Sequence, residues 1–520
     1  MSFSRRFFPK ALAAAATAGS LRLAEAQSAA GRFQHGVASG DPLANRVILW
    51  TRVTPTAGED FVAVEWQISD DPSLRRIVQR GLTYTNSGYD YTVKVDVGRL
   101  QAGQTYYYRF IAQGESSPTG RTRTLPLGAV DRLRFAVCSC SNHPQGFFNA
   151  YRMIARRADL DAVFHLGDYI YEYAEGVYGR GADIGHIPEP NREIVSLSDY
   201  RMRFAQYRRD PDLQEAHRQH PWIVVWDDHE STNDSWRNGA ENHQSATEGS
   251  WDARRAVATQ AWFEWMPVRE NPSLGDGFEI YRRFRFGDLA DILMLDTRLS
   301  GRDEQAPNAA GVLANPNRAL LGEDQESWLY RELLASKVRQ ANWRFLGQQV
   351  MMGQLLGPEG IANPDQWDGY PAARGRLLSY LGSNAINNVA VLTGDIHSSW
   401  GNEVSVNPFT PNFTSQAVEF VTPAVTSPGI DDPAQAAGLA AQINATHPHV
   451  KYVELNRRGY LLVDVDRDRV QGEWYHVATI RERRAEEAYV RGLTAASGQS
   501  RLVAASAASA PKANPPAPAP

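Results

Sequence analysis

The chain has 520 residues, of which 42% are hydrophobic and 22% charged, and its formal net charge is −5. This is a globular composition with enough apolar material for about two to four domains. The acidic balance argues against a nucleic-acid-binding surface, because phosphate backbones recruit basic patches. If the substrate is an anion, the positive charge that binds it has to come largely from bound metal.

Residues 1–26 are predicted to be a twin-arginine signal peptide. The paired Arg5 and Arg6 precede a weakly apolar, alanine-rich stretch over residues 11–21, and residues 24–26 form a small-x-small cleavage site. The segment is too short and too polar to anchor the chain, so no transmembrane segment is expected. We therefore predict export by the twin-arginine machinery to the periplasm or the medium.

Residues 32–127 are predicted to form an all-β domain. Turn signals such as residues 86–88 separate runs that alternate like strands. The segment that ends at Tyr106 resembles the tyrosine corner of fibronectin type III domains, in which a tyrosine near a strand start bonds to upstream backbone. The sequence therefore predicts a fibronectin-III-like sandwich of seven strands that ends near Pro126. The clearest candidate strands cover residues 46–53, 62–69 and 91–97.

From residue 132 the hydrophobic period changes, which predicts an α/β domain over residues 132–480. An apolar strand, a helical stretch over residues 147–157 and a second apolar strand form a βαβ unit, which favours a mostly parallel sheet covered by helices. Residues 174–192 are rich in Gly and Pro and are predicted to form a loop over the site. The final stretch, residues 504–520, is mostly Ala and Pro and is predicted to be disordered. Apolar strands are expected at residues 133–137, 162–166, 290–295, 343–350 and 389–393, and antiparallel pairing over 418–477.

Four polar segments each follow an apolar run of the kind that forms a strand buried on both faces. In open α/β sheets, ligands bind just past the carboxyl ends of such strands. One edge of the sheet would therefore receive thiol, carboxylate, phenol and imidazole groups, which indicates a metal centre. Taken alone, each segment has a simpler explanation, such as an aspartate that caps a helix or a buried cysteine. The segments are residues 138–140, 167–171, 227–230 and 394–397.

The donor types narrow the choice of metal. The adjacent carboxylates of Asp227 and Asp228 repel each other, and burial without a cation would raise at least one pKa. Cys138 and Cys140 are too close for an unstrained disulfide, which favours one thiolate on a metal over a structural pair. Thiolate and phenolate ligands stabilise ferric iron, whereas clustered carboxylates suit calcium or magnesium. Asp395 would share a face with the histidine two residues on if that backbone is extended.

In this order the four segments resemble the pattern of calcineurin-like metallophosphoesterases. The departures from that pattern resemble PhoD-type alkaline phosphatases: a cysteine segment replaces the usual Asp-x-His opening, and the Gly-Asp-x-x-Asp motif ends in Tyr171. Residues 36–42 and 49–52 are similar to the N-terminal β domain of that family. Residues 295–298 and 365–370 also look like family segments.

This resemblance implies a four-layer α/β/β/α metallophosphoesterase domain with a mixed Fe³⁺ and Ca²⁺ centre. Cys140 fits the family thiolate by its spacing to residues 146–148, which leaves Cys138 as a neighbour. Asn233 is a weaker candidate ligand. Arg298 would bind the phosphate or simply pair with Asp296, and His229 would meet the phosphoryl group or be an ordinary loop histidine. The implied metal ligands are Cys140, Asp168, Tyr171, Asp228, Asn233, Asp395 and His397.

The sequence thus predicts an exported alkaline phosphatase that hydrolyses phosphate esters by metal-bound hydroxide. No Gly-x-Ser-x-Gly segment supplies a serine nucleophile, although Cys140 remains a rival covalent nucleophile. One alternative is a phosphodiesterase or phospholipase D-like activity at the same site. Another is a cell-surface binding protein with a structural metal.

Overall fold

The computed structural model describes residues 31–270, 279–306, 310–313, 315–357 and 360–520. The predicted signal peptide, residues 1–26, lies outside the described residues. Among the helices of the described part, none combines the length and the hydropathy needed to cross a bilayer.

Strands dominate the described chain, and helices connect the parallel ones. The strands are β1 Val37–Leu43, β2 Arg46–Arg52, β3 Phe61–Ser69, β4 Ile77–Asn86, β5 Thr92–Val97, β6 Thr105–Ala112, β7 Glu115–Ser116, β8 Gly120–Arg123, β9 Arg132–Cys138, β10 Ala162–His165, β11 Pro221–Val224, β12 Ser235–Trp236, β13 Gly239–Ala240, β14 Arg282–Phe286, β15 Ala290–Met294, β16 Trp343–Gly347, β17 Leu356–Gly357, β18 Gly360–Ile361, β19 Val389–Thr393, β20 Ser399–Val404, β21 Ala417–Val421, β22 Val450–Glu454, β23 Gly459–Asp466, β24 Arg469–Val477, β25 Glu487–Ala496 and β26 Val503–Ala504. The helices are α1 Asn149–Ala155, α2 Leu197–Arg208, α3 Pro211–Gln219, α4 Ser245–Glu248, α5 Trp251–Trp265, α6 Ala310–Leu313, α7 Gly322–Val338, α8 Pro371–Ser383 and α9 Pro433–Thr446.

The largest sheet has ten strands in the order β26-β25-β24-β23-β9-β10-β11-β1-β2-β5. Its centre, β9-β10-β11-β1, is parallel, and antiparallel strands extend it on both sides. The predicted N-terminal β domain and the predicted α/β domain therefore share one sheet. Strands β1, β2 and β5 of the N-terminal region hydrogen-bond into the same sheet as the α/β strands, because β1 pairs directly with β11.

A second sheet of the N-terminal region, β4-β3-β6-β7 with β8 on β6, covers β1, β2 and β5. The core between them includes Val37, Leu49, Val64 and Tyr108, all fully buried. The hydroxyl of Tyr106 accepts a hydrogen bond of 2.9 Å from the backbone N–H of Gln101.

A seven-stranded sheet, β14-β15-β16-β19-β21-β20-β22, packs face to face on the ten-stranded sheet. At the contact, the ring of Phe135 on β9 lies 5.1 Å from that of Phe286 and 6.2 Å from that of Phe345. Side chains of α1, α2, α3 and α5 belong to the core around the first sheet, and those of α7 and α8 pack on the second. The apolar strands expected at residues 162–166, 290–295, 343–350 and 389–393 are confirmed as β10, β15, β16 and β19.

Two expectations about the C-terminal part need correction. Strands β24 and β25 form one antiparallel pair that ends at Ala496, so the α/β domain extends past residue 480. The stretch over residues 504–520, expected to be disordered, lies against the protein as extended chain. The Arg121 guanidinium donates to the Pro516 carbonyl at 3.1 Å, and Gln219 exchanges hydrogen bonds with the Ala519 backbone. Backbone hydrogen bonds hold this segment where its composition offers little apolar side-chain area.

Candidate metal centre

The loops that follow β9, β10, β11 and β19 meet at the carboxyl edge of the two packed sheets. Their donor atoms form three overlapping groups in which all atoms lie within 4.8 Å of one another. Asp168 belongs to two of the groups and Asp228 to two, so the groups make one continuous cluster. The groups are Cys140 with Asp168 and His397, Asp168 with Asp228 and His229, and Asp227 with Asp228 and Asp395.

The backbone at these positions is strained. Cys140, Asp168, Asp395 and His397 all have positive φ angles, 60°, 56°, 65° and 56° respectively, where side-chain-bearing residues are uncommon. Such strain persists where the surrounding structure over-determines it, and it concentrates at functional sites. It also overturns one expectation: the chain is not extended here, so Asp395 and His397 enter different donor groups instead of sharing one face.

Gly167 allows two of the loops to approach closely. Its φ is 102°, and a Cβ placed on it would lie 2.3 Å from the Cβ of Asp227. Only glycine fits both the conformation and the space. The Gly-Asp sequence at the end of β10 therefore brings Asp168 beside the Asp227 segment.

The thiol and the phenol lie on one side of the cluster. The Tyr171 hydroxyl donates to Asp168 Oδ2 at 2.7 Å, lies 3.2 Å from His397 Nε2 and accepts from the Ser427 hydroxyl at 2.7 Å. Burial, reinforced by the charge of Asp168, raises the pKa of both Tyr171 and Cys140 well above their ordinary values. A thiolate or phenolate in this place therefore needs a cation to stabilise it.

The two cysteines have separate surroundings. Both are buried and free. The Cys140 sulfur is among the cluster donors, whereas the Cys138 sulfur lies 3.5 Å from the Phe164 carbonyl within the core. The structure thus places the sulfur of Cys140, and not that of Cys138, among the donors of the cluster.

Carboxylates surround the side chain of Arg298, for which the sequence left phosphate binding and a pair with Asp296 open. Its guanidinium is fully buried, and each of its nitrogens has a carboxylate partner: Nε at 2.5 Å from Asp227, Nη1 at 2.8 Å from Asp365 and Nη2 at 2.8 Å from Asp395. Its own backbone N–H, not its side chain, bonds Asp296. Each nitrogen of the Arg298 side chain thus has a carboxylate partner in this structure.

One arginine does not compensate all of this negative charge. Burial raises the pKa of Asp227 well above its usual range despite Arg298, and raises that of Asp395 to about 8. For Asp228, Arg298 and His229 outweigh the effect of burial and hold the pKa at about 2. Within the cluster, three buried carboxylate oxygens have no hydrogen-bond partner among the described residues: Asp168 Oδ1, Asp227 Oδ2 and Asp228 Oδ1.

Orphaned buried oxygens of this kind call for a ligand, because buried polar groups are nearly always paired. Together with a thiol and a phenol in reach, they form a donor set that fits bound metal ions.

His229 is held by a residue that the sequence analysis missed. Its Nδ1 lies 2.7 Å from Glu172 Oε2, and both side chains are buried. Burial lowers the pKa of His229, but the carboxylates of Glu172 and Asp228 outweigh it and raise the pKa well above 6.5. The Asn233 amide donates to Glu241 at 3.1 Å, and its backbone N–H donates to Glu172.

Three further residues at the site had weak sequence signals. Asp365 accepts from Arg298, and Glu230 accepts the N–H groups of Asp168 and Tyr169. Tyr178, in the insertion over residues 174–192, has its hydroxyl 3.1 Å from His397 Nδ1. Glu230 and Asp365 lie in segments that the sequence singled out, residues 227–230 and 365–370, but without an assigned role, and nothing local distinguishes Tyr178 from other loop tyrosines.

Known protein families match both the N-terminal region and the larger region that follows it. Residues 135–474 match the family described as PhoD-like phosphatase, and residues 15–126 match the N-terminal domain of PhoD-like phosphatases. Alkaline phosphatase D of Bacillus subtilis (strain 168) is 39% identical over 448 residues, which cover 82% of this chain and 75% of that protein. The solved structure of PhoD aligns with a TM-score of 0.84 at 36% identity and covers 93% of this chain and 94% of that one. The chain therefore belongs to the PhoD-like phosphatase family.

Proposed function

We propose that this protein is an exported, metal-dependent alkaline phosphatase whose centre lies at the carboxyl ends of β9, β10, β11 and β19. As a member of the PhoD-like phosphatase family, the chain is a phosphoric ester hydrolase. The observation that carries the metal dependence is the set of three buried carboxylate oxygens without a hydrogen-bond partner, beside a thiol and a phenol.

The donor types divide the centre into two parts. Cys140 and Tyr171 would hold a ferric ion, because thiolate and phenolate stabilise that state. Asp228 and Asp395 would hold calcium, which prefers oxygen ligands, and Asp168 lies where it can serve both. When bound, such ions polarise phosphate oxygens and make water a nucleophile near neutral pH. The family resemblance supports His397 as a further ligand, and Asn233, whose amide contacts Glu241, has the weakest support.

The chain's own residues supply orientation and proton transfer. Glu172 engages His229 Nδ1, which leaves Nε2 as the nitrogen that can face a substrate. In its protonated form His229 can donate a proton to the departing alcohol oxygen. Arg298 keeps Asp227 and Asp395 in place and lowers the cost of burying their charges.

The finer description of the fold and of the location belongs to the same proposal. Two face-to-face sheets with helices on their outer faces support a four-layer α/β/β/α arrangement. The Tyr106 hydrogen bond supports a fibronectin-III-like N-terminal region. The paired Arg5 and Arg6 support twin-arginine export to the periplasm or the medium.

A phosphodiesterase is the second candidate, because two cavities meet at Pro428 beside His397 and a diester has a second alcohol to place. Metal content of the mature protein, with hydrolysis of p-nitrophenyl phosphate and bis(p-nitrophenyl) phosphate before and after chelation, tests both. Iron present, with monoester activity lost on chelation and restored by calcium, is expected. Faster hydrolysis of the bis-ester would favour the diesterase, and bound metal with neither activity would favour a binding protein.

A further inference from the structure

An apolar cavity of about 610 Å³ opens beside the candidate metal centre. His397 belongs to both: its Nε2 lies 3.2 Å from the Tyr171 hydroxyl at the centre, and the residue also lines the cavity. Leu355, Ile396 and Leu455 contribute apolar wall. The volume is in the range of cavities that enclose small organic ligands.

Helix α9, Pro433–Thr446, supplies one wall of this cavity through Leu439 and Ile443. Leu439 is 40% exposed although it is a large apolar side chain on a helix that lines a concave surface. Leu356, which lines the same cavity, is also 40% exposed. Apolar area that the protein leaves uncovered in a concave place is the usual mark of a binding surface.

A second cavity, of about 660 Å³, lies on the other side of Pro428 and Tyr178 and has a different character. Charged side chains line it, including the ion pair of Arg481 with Asp183. An apolar group placed there would displace water from charges without replacing its hydrogen bonds, which is unfavourable. Beneath the centre, Asp227 and Arg298 are fully buried and close that side. Within the described part of the chain, an apolar cavity and a charged cavity thus both adjoin the centre, and the apolar one suits the alcohol part of an ester.

We propose that the apolar cavity holds the alcohol part of the substrate, so that the enzyme prefers phosphate esters of apolar alcohols, with alkyl or aryl chains. This rests on the proposed phosphatase function and specifies its substrate class. In the reaction the P–O bond to the alcohol breaks, water provides the oxygen that replaces it, and a proton ends on the departing alcohol. Pro428 marks the division: its carbonyl accepts from His397 Nδ1 at 2.7 Å, which fixes the imidazole between the centre and the cavity.

The first test is a series of n-alkyl phosphates, from ethyl through butyl and hexyl to octyl. The departing alcohols have nearly the same acidity, so differences in kcat/KM report binding of the chain. We expect kcat/KM to rise by up to about fourfold for each methylene that the cavity buries. A flat series in an enzyme that hydrolyses p-nitrophenyl phosphate would overturn this inference alone. An enzyme inactive on every ester would overturn the proposed function, and this inference with it.

A pair of variants on α9 locates the effect. Leu439→Trp replaces an aliphatic side chain of the cavity wall with a bulky indole ring that fills part of the cavity, and should lower the ratio of octyl to ethyl phosphate kcat/KM at least tenfold. Ala441→Trp makes the same kind of change two residues on, at an exposed position outside the cavity lining, and should leave the ratio unchanged. An unchanged ratio in Leu439→Trp would contradict the proposal.

Binding without turnover gives an independent readout. Titration calorimetry with octylphosphonate and methylphosphonate should show tighter binding of the longer chain, with a more negative heat-capacity change, because apolar area is buried. Leu439→Trp should remove most of that difference. Equal affinity of the two phosphonates for the unaltered protein would count against the cavity as the alcohol site.

Discussion

Glu172 Oε2 lies 2.7 Å from Nδ1 of His229, and the two side chains are buried together. The other oxygen of Glu172 accepts the backbone N–H of Asn233 at 2.8 Å and the Asn242 amide at 3.1 Å. A carboxylate held at both oxygens fixes both the position and the tautomer of the histidine it contacts. Glu172 thus ties the loop after β10 to the loop after β11, at the point where each delivers a group to the centre.

Replacing this carboxylate should affect His229 more than the fold. Glu172→Gln keeps an acceptor oxygen but removes the charge that raises the pKa of His229. We expect kcat/KM for p-nitrophenyl phosphate to fall about 10- to 100-fold and the alkaline limb of its pH profile to move to lower pH. The control is Glu175→Gln, whose carboxylate bonds backbone N–H groups of its own loop. An unchanged pH profile in Glu172→Gln would contradict the positioning role.

The two cysteines offer a matched pair for the metal assignment. Cys140→Ser should lose most of its iron and more than about 100-fold in activity, because a hydroxyl is a poor substitute for a thiolate on ferric iron. Cys138→Ser, two residues away in the core, should keep its iron. Elemental analysis and kinetics measure both. Full iron content with no activity in Cys140→Ser would instead indicate a covalent nucleophile.

Gly167 should tolerate no side chain. In Gly167→Ala the new Cβ meets Asp227, and the residue keeps a φ of 102°. We expect a loss of about 2–4 kcal/mol in the free energy of unfolding, and lower metal affinity because Asp168 and Asp227 move apart. Gly176→Ala, with a φ of 79° and open space around it, should cost about 1 kcal/mol. If urea unfolding showed the same loss of free energy of unfolding in both variants, the positive φ angle, and not the close approach to Asp227, would account for the effect.

Asp368 provides a pH dependence away from the centre. Burial, opposed in part by Arg374, raises the pKa of Asp368 to about 7. Its folded-state pKa lies above the unfolded value near 3.8, so the folded state binds more protons between these values. This residue therefore lowers the stability as the pH rises from about 4 to 7.

In the unaltered protein the Leu355 N–H donates to Asp368 Oδ2 at 2.7 Å. Asp368→Asn keeps an oxygen that can accept this hydrogen bond but removes the charge. The variant should match the unaltered protein near pH 4 and exceed its free energy of unfolding by about 1–3 kcal/mol at pH 8. Urea unfolding at both pH values measures the difference. A difference that does not grow with pH would show that Asp368 ionises freely in the folded protein.

The C-terminal segment should contribute to stability and not to catalysis. Deleting residues 511–520 removes the contacts of Arg121 with Pro516 and of Tyr107 with Ala517, among others. The deletion loses several hydrogen bonds but no longer has to order this segment. We therefore expect the free energy of unfolding to fall by about 2 kcal/mol. The partner Gln219 precedes β11, at the end of the strand opposite the centre, so kcat should not change. Unaltered thermal unfolding after the deletion would mean that the segment is not held.

Much of the site could be predicted from local pattern. An apolar run signals a strand buried on both faces, and the polar residues that follow it must lie at the carboxyl edge of the sheet. This is why the four polar segments could be placed at one edge before any coordinates, and why β10 and β19 appear where expected, whereas the choice of Cys140 and Asp228 within their segments rests on the family resemblance. Their chemistry follows from residue type alone.

Only the tertiary structure decided which segments far apart in sequence are in contact. Arg298 donates a hydrogen bond to Asp227, which lies 71 positions away in the sequence. Nothing near Arg298 in the sequence reveals that carboxylates surround its guanidinium. The same holds for Glu172 beside His229, for β1 beside β11 and for the tail bound near Gln219. Local sequence determines the periodicity and the chemistry of each segment. Which segments become neighbours depends on how the apolar faces of the whole chain are buried together, and a local pattern does not contain that information.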